Sequence, residues 1–130
     1  MADSRTTYRT VTPYLLVSNA DAELAFLKAA FGATELNCQR SSDNTVMHAE
    51  IIIGDSLVML GQAGGPWKPR SAALYLWVDD VDATYAEALR AGAESESEPE
   101  DKPYGHRNAG VIDRNGVTWW IGAPVRERQT

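Results

Sequence analysis

The chain has 130 residues, of which 44% are hydrophobic and 23% charged, values typical of one globular domain. No apolar run approaches the roughly 20 residues that a membrane-spanning helix needs, and the first twenty residues show no secretory signal pattern. We therefore expect a cytoplasmic protein that does not bind membranes. The formal charge of -6 disfavours nucleic-acid binding, and the single cysteine, Cys38, excludes an intramolecular disulfide.

The sequence repeats itself at an offset of 61 residues. The first copy begins TPYLLVSNADAELAFLKAAFGA and the second begins ALYLWVDDVDATYAEALRAGAE. Identical residues fall opposite one another, including Tyr14 and Tyr75, Val17 and Val78, and Asp21 and Asp82. Because each copy of a repeat is one supersecondary unit, we predict a single domain, 1–130. It would contain module 1, at about 10–61, and module 2, at about 72–122, joined by a Gly- and Pro-rich linker at 62–71.

Each module is predicted to begin with a strand and a helix. Strand-forming residues lie at Thr10–Val17 and Ala73–Val78, and Ala- and Leu-rich stretches with helical spacing follow them. Ser18 and Asp79 stand where we expect the N-caps of these helices.

The predicted ends of the two helices are Gly32 and Gly92, because glycine favours the conformation that ends a helix. The first helix has a stripe that we expect to be buried against a sheet. This stripe consists of Leu24, Leu27, Phe31 and the aliphatic stem of Lys28.

Three strands are predicted after the first helix. Gly54-Asp55, like Asn115-Gly116 in module 2, indicates a hairpin. Alternation in the strand Val46–Ile53 places His48 and Glu50 on the face opposite the apolar one. The apolar face, expected to meet the helix, consists of Met47, Ala49, Ile51 and Ile53. In module 2 we expect the acidic segment 94–103 to form a short strand followed by a solvated loop.

The duplicated order of strand, helix and three strands resembles the vicinal oxygen chelate superfamily, the glyoxalase, bleomycin-resistance and extradiol dioxygenase group. The most similar stretches are the two repeat beginnings and PYGHRNAGVIDRNGVTWWI near the end. The resemblance implies an α+β fold in which two βαβββ modules form a curved mixed sheet around a cavity. It also implies completion of that cavity in a homodimer.

Enzymes of this superfamily hold a divalent metal through residues at four places, which the resemblance carries onto Thr12, Met59, Ala73 and Trp120. A hydroxyl, a thioether, a methyl and an indole are poor ligands for a hard divalent cation. We therefore expect no catalytic residues of the usual set, no metal and no cofactor. The resemblance then points to the metal-free branch, which includes antibiotic-binding resistance proteins.

Three polar residues are candidates for a ligand site. His48 and Glu50 could supply two metal ligands, an acid-base pair, or a polar pair lining a cavity. Aligned with Val46 at the repeat offset, Arg107 is expected on the cavity face. There it could bind a ligand carboxylate or carbonyl, or pair with Glu50. His106 is expected to be a surface loop residue.

Aromatic side chains suggest the chemistry of the ligand. Trp119 and Trp120 alternate, so one should be in the core and the other in the cavity. Trp120 could stack on a flat ligand or merely fill the place of the absent metal. The other candidate ligand-binding residues are Tyr14, Met59, Tyr75 and Trp77.

The predicted function is binding of a small molecule, an aromatic-bearing antibiotic or secondary metabolite, which the protein would sequester. The alternative is a lyase- or dioxygenase-like enzyme with an atypical site around His48, Glu50 and Arg107.

Overall fold

A computed structural model describes residues 8–125. The chain divides into two compact units, Met1–Ser71 and Ala72–Thr130, which contain module 1 and module 2. Each has one helix and one four-stranded mixed sheet, and this confirms the predicted α+β class and the order strand, helix, three strands. No helix within residues 8–125 has the length and apolar character needed to cross a membrane.

Module 1 forms a sheet with the strand order β1-β4-β3-β2. β1 is parallel to β4, and the other two pairings are antiparallel. The elements are β1 (Tyr14–Val17), α1 (Ala20–Phe31), β2 (Thr34–Arg40), β3 (Val46–Ile53) and β4 (Ser56–Gln62).

Module 2 repeats this topology with the strand order β5-β8-β7-β6. β5 is parallel to β8, and the remaining pairs are antiparallel. The elements are β5 (Ala73–Trp77), α2 (Val81–Arg90), β6 (Glu94–Asp101), β7 (His106–Ile112) and β8 (Thr118–Pro124). β6 therefore spans most of the acidic segment, and the prediction of a short strand was wrong. Backbone pairing with β7 extends the strand although most of its side chains are exposed.

Both helices begin one residue later than predicted. The N-caps are Asn19 and Asp80, whose side chains accept from Ala22 N and Ala83 N, so the predicted caps Ser18 and Asp79 were wrong. Asn19 and Asp80 both have the extended backbone typical of an N-cap, and each side-chain oxygen reaches the amide three residues further along. Gly32 ends α1 in the left-handed conformation, as predicted.

The buried face of α1 differs partly from the predicted stripe. Leu24 and Leu27 are buried as expected, together with Phe26 and Ala30. Lys28 instead extends to solvent and forms an ion pair with Glu35 at 2.7 Å. Its charge is thus hydrated and paired, and its stem does not line the core.

In β3 the expected apolar face is buried at Ala49, Ile51 and Ile53, whereas Met47 is exposed. Met47 lies near the start of the strand. Glu50, on the other face, is 5% exposed despite its charge. The polar face of β3 is therefore not a simple solvent-facing surface.

An aspartate of each helix's first turn binds an arginine of its own sheet. Arg40 contacts Asp21 with an Nη2–Oδ1 distance of 2.7 Å, and this hydrogen bond lowers the pKa of Asp21 below its usual value. In module 2, Arg107 donates to Asp82 in α2 and to Asp101 in β6. The repeated Asp21 and Asp82 thus attach the helix N-terminus to the sheet in both modules.

The β7–β8 turn is organised by one buried carboxylate. Asp113 is 4% exposed. Its Oδ1 accepts from Val117 N at 3.0 Å and Asn115 N at 2.9 Å, and its Oδ2 accepts from Trp119 Nε1 at 2.9 Å. This network fixes the Trp119 indole within the core and sets the register at which β8 begins.

We predict that Asp113→Ala destabilises the protein, because it leaves the buried indole N–H and turn amides without their acceptor. The expected loss in the free energy of unfolding is about 1–3 kcal/mol, measured by urea denaturation. Asp55→Ala, in the exposed β3–β4 hairpin, is the matched control and should change stability by less than about 0.5 kcal/mol. Equal losses in the two variants would contradict this role for Asp113.

Candidate functional site

Module 2 contains a groove of about 370 Å³ on the face of its sheet opposite α2. Alternation along β8 buries Trp119 and turns Trp120 toward this groove. The six lining residues are Tyr75, Ser97, Lys102, Tyr104, Asn108 and Trp120. The prediction that one indole of this pair is in the core and the other in a cavity is therefore confirmed.

Two glycines allow aromatic rings to lie close against the sheet backbone. A Cβ added at Gly110, which pairs with Trp120 across β7 and β8, would lie 2.6 Å from Trp120 Cζ3. A Cβ at Gly122 would lie 2.6 Å from Tyr75 Cε1. Any larger residue at either place would push the ring away from the sheet, so these glycines set the depth of the groove.

Asn108 lies at the floor of the groove and is 3% exposed. Its Nδ2 donates to Tyr104 Oη at 2.9 Å and to Tyr75 Oη at 3.4 Å. Within residues 8–125, the buried Oδ1 has no hydrogen-bond partner. The Asn108 amide nitrogen thus links two tyrosine hydroxyls at the floor of the groove.

Aromatic rings continue beside the groove. His106 is the first residue of β7, so the prediction of a surface loop residue was wrong. Its ring lies 4.8 Å from Trp77, 5.3 Å from Tyr104 and 6.4 Å from Tyr75 between centroids. Trp77 nevertheless remains 56% exposed. A large, partly open aromatic surface therefore adjoins the lining residues.

The groove also has a cationic side. Lys102 Nζ lies 3.5 Å from Glu100 Oε1, and the Lys102 side chain is 25% exposed. The Lys102 backbone N–H donates to His106 O at 2.7 Å, which holds the β6–β7 turn beside the aromatic residues. Because the Lys102 ammonium group lies 3.5 Å from the Glu100 carboxylate, it is only weakly neutralised within the part of the chain that the structure describes.

Module 1 has a different arrangement at the corresponding positions. Tyr14, Met59 and Glu50 are neighbours across β1, β4 and β3. The Glu50 carboxylate accepts from Tyr8 Oη at 2.8 and 3.0 Å and lies 3.4 Å from His48 Nε2. The rings of Tyr14 and His48 are 5.7 Å apart. The structure thus brings His48 and Glu50 together, with Tyr8 as a partner that the sequence pattern did not indicate.

Arg107 is placed differently from the prediction. It faces α2, where its guanidinium binds Asp82 at 3.0 and 3.1 Å and Asp101 at 3.0 Å. Hydrogen bonds raise the pKa of Arg107 above its usual value, the one to Asp101 having the largest effect and those to Asp82 the next largest. The guanidinium is thus engaged within module 2, and the expectation that Arg107 lies on the cavity face was wrong.

A change in the repeat offset explains this error and the residues that were missed. Glu50 pairs with Met59 and Gly110 pairs with Trp120, so the copies differ by 61 positions in β4 and β8 but by 60 in β3 and β7. Arg107 consequently corresponds to Met47 and not to Val46. With the offset of 60, Asn108 corresponds to His48, and the sequence could have identified it as a groove residue.

The model of the Glyoxalase/Bleomycin resistance protein/Dioxygenase superfamily matches residues 9–121. The chain belongs to this superfamily. An uncharacterized protein of Mycobacterium tuberculosis is 34% identical over 128 residues, covering 90% of this chain and 75% of the relative.

Solved structures of the superfamily fold are also similar. TioX from Micromonospora sp. ML1 has a TM-score of 0.77 and 26% identity, covering 91% of this chain and 100% of TioX. A glyoxalase-related enzyme from Clostridium phytofermentans has a TM-score of 0.71 over 91% of this chain and 96% of its own. At 12% identity, this second likeness shows the fold alone.

The superfamily's metal positions can be compared with the side chains that this chain has there. Thr12 and Met59 stand in module 1, and Ala73 and Trp120 in module 2. Trp120 places its indole over Gly110, and Met59 offers only a thioether, a soft ligand. No group of three or more His, Cys, Asp or Glu within residues 8–125 could hold a metal ion. This donor set does not fit a hard divalent cation.

We predict that Gly110→Ala displaces the Trp120 ring, because the added methyl group would occupy the space of its six-membered ring. The Trp120 indole N–H resonance should shift, and stability should fall by about 1–3 kcal/mol. Gly64→Ala is the control, since a Cβ there would have no described atom within 4 Å other than those of the residue itself and its chain neighbours. An unchanged Trp120 resonance in Gly110→Ala would contradict the close contact.

Proposed function

We propose that this protein binds a planar aromatic small molecule in the groove of module 2 and sequesters it. The class of ligand would be an antibiotic or another secondary metabolite. The observation that carries the proposal is the combination of the Trp120 indole, two tyrosines and the buried Asn108 amide in one open groove.

The size and chemistry of the groove support this proposal. Its volume of about 370 Å³ lies within the range of small-molecule sites, which combine aromatic walls with a few placed polar groups. An offset-stacked ring pair contributes about 0.5–1.5 kcal/mol beyond burial of its area. One ring stacked on Trp120 would therefore improve affinity by roughly two- to tenfold.

The superfamily gives independent support for sequestration. Its name includes bleomycin resistance proteins. The residues that this chain has at the metal positions of the superfamily's enzymes do not fit a hard cation. A binding function requires only the groove. We propose on these grounds that the chain resembles the metal-free, antibiotic-binding members.

An atypical enzyme is the second candidate, favoured by the contact between the buried Glu50 carboxylate and Tyr8 and His48. Proton transfer by Glu50 would need a substrate within hydrogen-bond distance. The third residue of this hypothesis, Arg107, binds Asp82 and Asp101 instead. Turnover in a substrate screen that Glu50→Gln abolishes would favour the enzyme over the binding protein.

Tryptophan fluorescence titrated with planar-chromophore antibiotics tests the sequestration proposal. We expect quenching with a Kd below about 10 µM for at least one compound, and Trp120→Ala should weaken that binding at least about threefold. Trp67→Ala, at a residue 69% exposed outside the groove, is the control and should leave the affinity unchanged. Failure of every compound to bind, or an unaffected Trp120→Ala variant, would contradict the proposal.

We also propose that the protein is a homodimer. In the strand orders of the described residues, each four-stranded sheet has two edge strands, namely β1 and β2 in module 1 and β5 and β6 in module 2. The unpaired side of an edge strand can pair with another chain. Sedimentation at micromolar concentration should give twice the chain mass, and a monomer would contradict this proposal.

A further inference from the structure

We propose that the groove of module 2 selects planar aromatic compounds that carry an anionic group, such as a carboxylate, and that the Lys102 ammonium binds this group. Neutral compounds of the same shape would bind more weakly. This inference rests on the proposed function, because it names the charge of the ligand in the same groove.

The charge of the groove is opposite in sign to that of the whole chain. The formal net charge of the chain is -6. Among the lining residues that the structure describes, however, Lys102 alone carries a formal charge, and the others are aromatic or neutral polar. Exposed charges more than about 8 Å apart are largely screened at physiological ionic strength. The local cation therefore determines which ligand charge the groove favours.

The Lys102 ammonium can accept a further anionic partner. It has three N–H donors, and the nearest oxygen of its ion-pair partner Glu100 is 3.5 Å away. The Glu100 side chain is 67% exposed, and exposed ion pairs contribute little because water competes for both charges. Asp101 binds Arg107 at 3.0 Å and does not compete for the ammonium. A ligand carboxylate can therefore displace or join Glu100 at Nζ.

The β6–β7 turn fixes the backbone of Lys102 beside the groove. The Lys102 N–H donates to His106 O at 2.7 Å, and its carbonyl oxygen accepts from Gly105 N at 3.2 Å. Pro103 follows Lys102 directly and restricts the backbone of the turn. Only the Lys102 side chain must therefore be ordered when an anion binds, which limits the entropic cost of binding.

Strand pairing indicates where the anionic group must lie on the ligand. Trp120 pairs with Gly110 of β7. Two residues earlier in β7, Asn108 pairs with Glu100, whose carboxylate lies beside the Lys102 ammonium. Two residues of a strand span about 7 Å. A ligand stacked on Trp120 would thus reach Lys102 with an anionic substituent at one end of a bicyclic ring system.

Module 1 has the opposite charge at the equivalent position. The residue that corresponds to Gly110 is Glu50, which is 5% exposed and accepts from Tyr8. A carboxylate in a poorly solvated place repels a second anion more strongly than one in water does. An anionic ligand should therefore occupy the groove of module 2 and avoid the neighbourhood of Glu50.

The test uses 2-naphthoate and 2-naphthamide, which have nearly the same shape but differ in charge at neutral pH. Binding to the full chain is measured by quenching of tryptophan fluorescence, and the Trp120 indole N–H resonance reports occupancy of the groove. We expect naphthoate to bind the wild-type protein about fivefold more tightly than the amide. Raising NaCl from about 0.05 to about 0.5 M should remove most of this preference, because salt screens the ion pair.

Three variants assign the preference to Lys102. Lys102→Gln removes the ammonium and should bind both probes alike. Glu100→Gln removes the competing carboxylate, so its preference for naphthoate should be at least as large as that of the wild type. Lys28→Gln is the matched control, because it removes a lysine of an ion pair outside the groove, and it should keep the preference. The wild-type comparison of the two probes needs no variant, so a folding defect in Lys102→Gln leaves the test intact.

The results that would overturn the inference differ from those that would overturn the proposed function. Binding of naphthoate to the wild type that is absent, or no tighter than that of the amide, would refute the anionic ligand class. A preference that persists in Lys102→Gln, falls in Glu100→Gln or is lost in Lys28→Gln would refute the assignment to Lys102. In all these cases the groove remains the binding site if the amide or an antibiotic shifts the Trp120 resonance. If the antibiotic panel also fails to bind, the proposed function is wrong as well.

Discussion

Close approach of aromatic rings to the sheet backbone is the constraint on which the candidate site depends. Trp120 lies over Gly110, and Tyr75 lies over Gly122. Both rings therefore lie close to the sheet, which leaves the space above them open as the groove. A Cβ at either glycine would overlap the ring above it. The same stacking places the Tyr75 hydroxyl within reach of Asn108, which joins the aromatic wall to the polar floor.

The turn before β8 decides which of the two adjacent indoles enters the groove. A shift of one residue in strand register would exchange the two faces. Asp113 prevents this shift by binding Trp119 Nε1 inside the core together with the turn amides of Asn115 and Val117. Trp120 then faces the groove as a consequence of a buried hydrogen bond on the other side of the sheet.

The two modules have the same topology but different chemistry at equivalent positions. Module 1 has a carboxylate, Glu50, in contact with a histidine and a tyrosine, whereas module 2 has Gly110 and an indole. A duplicated fold thus supports a carboxylate cluster in one copy and an aromatic groove, with Lys102 on one side, in the other. The repeated Asp21 and Asp82, by contrast, bind arginines in both copies and hold each helix on its sheet.

The sequence by itself determined the two modules, the order of their elements and the opposite faces of Trp119 and Trp120, because repeats and period-two alternation are local patterns. Tertiary structure decided the site around them. The repeat offset changes from 61 to 60 in β7, and this single position turns Arg107 toward α2 and Asn108 toward the groove. Only the strand pairing fixes that register, since a one-residue slip reverses the face of every side chain in a strand.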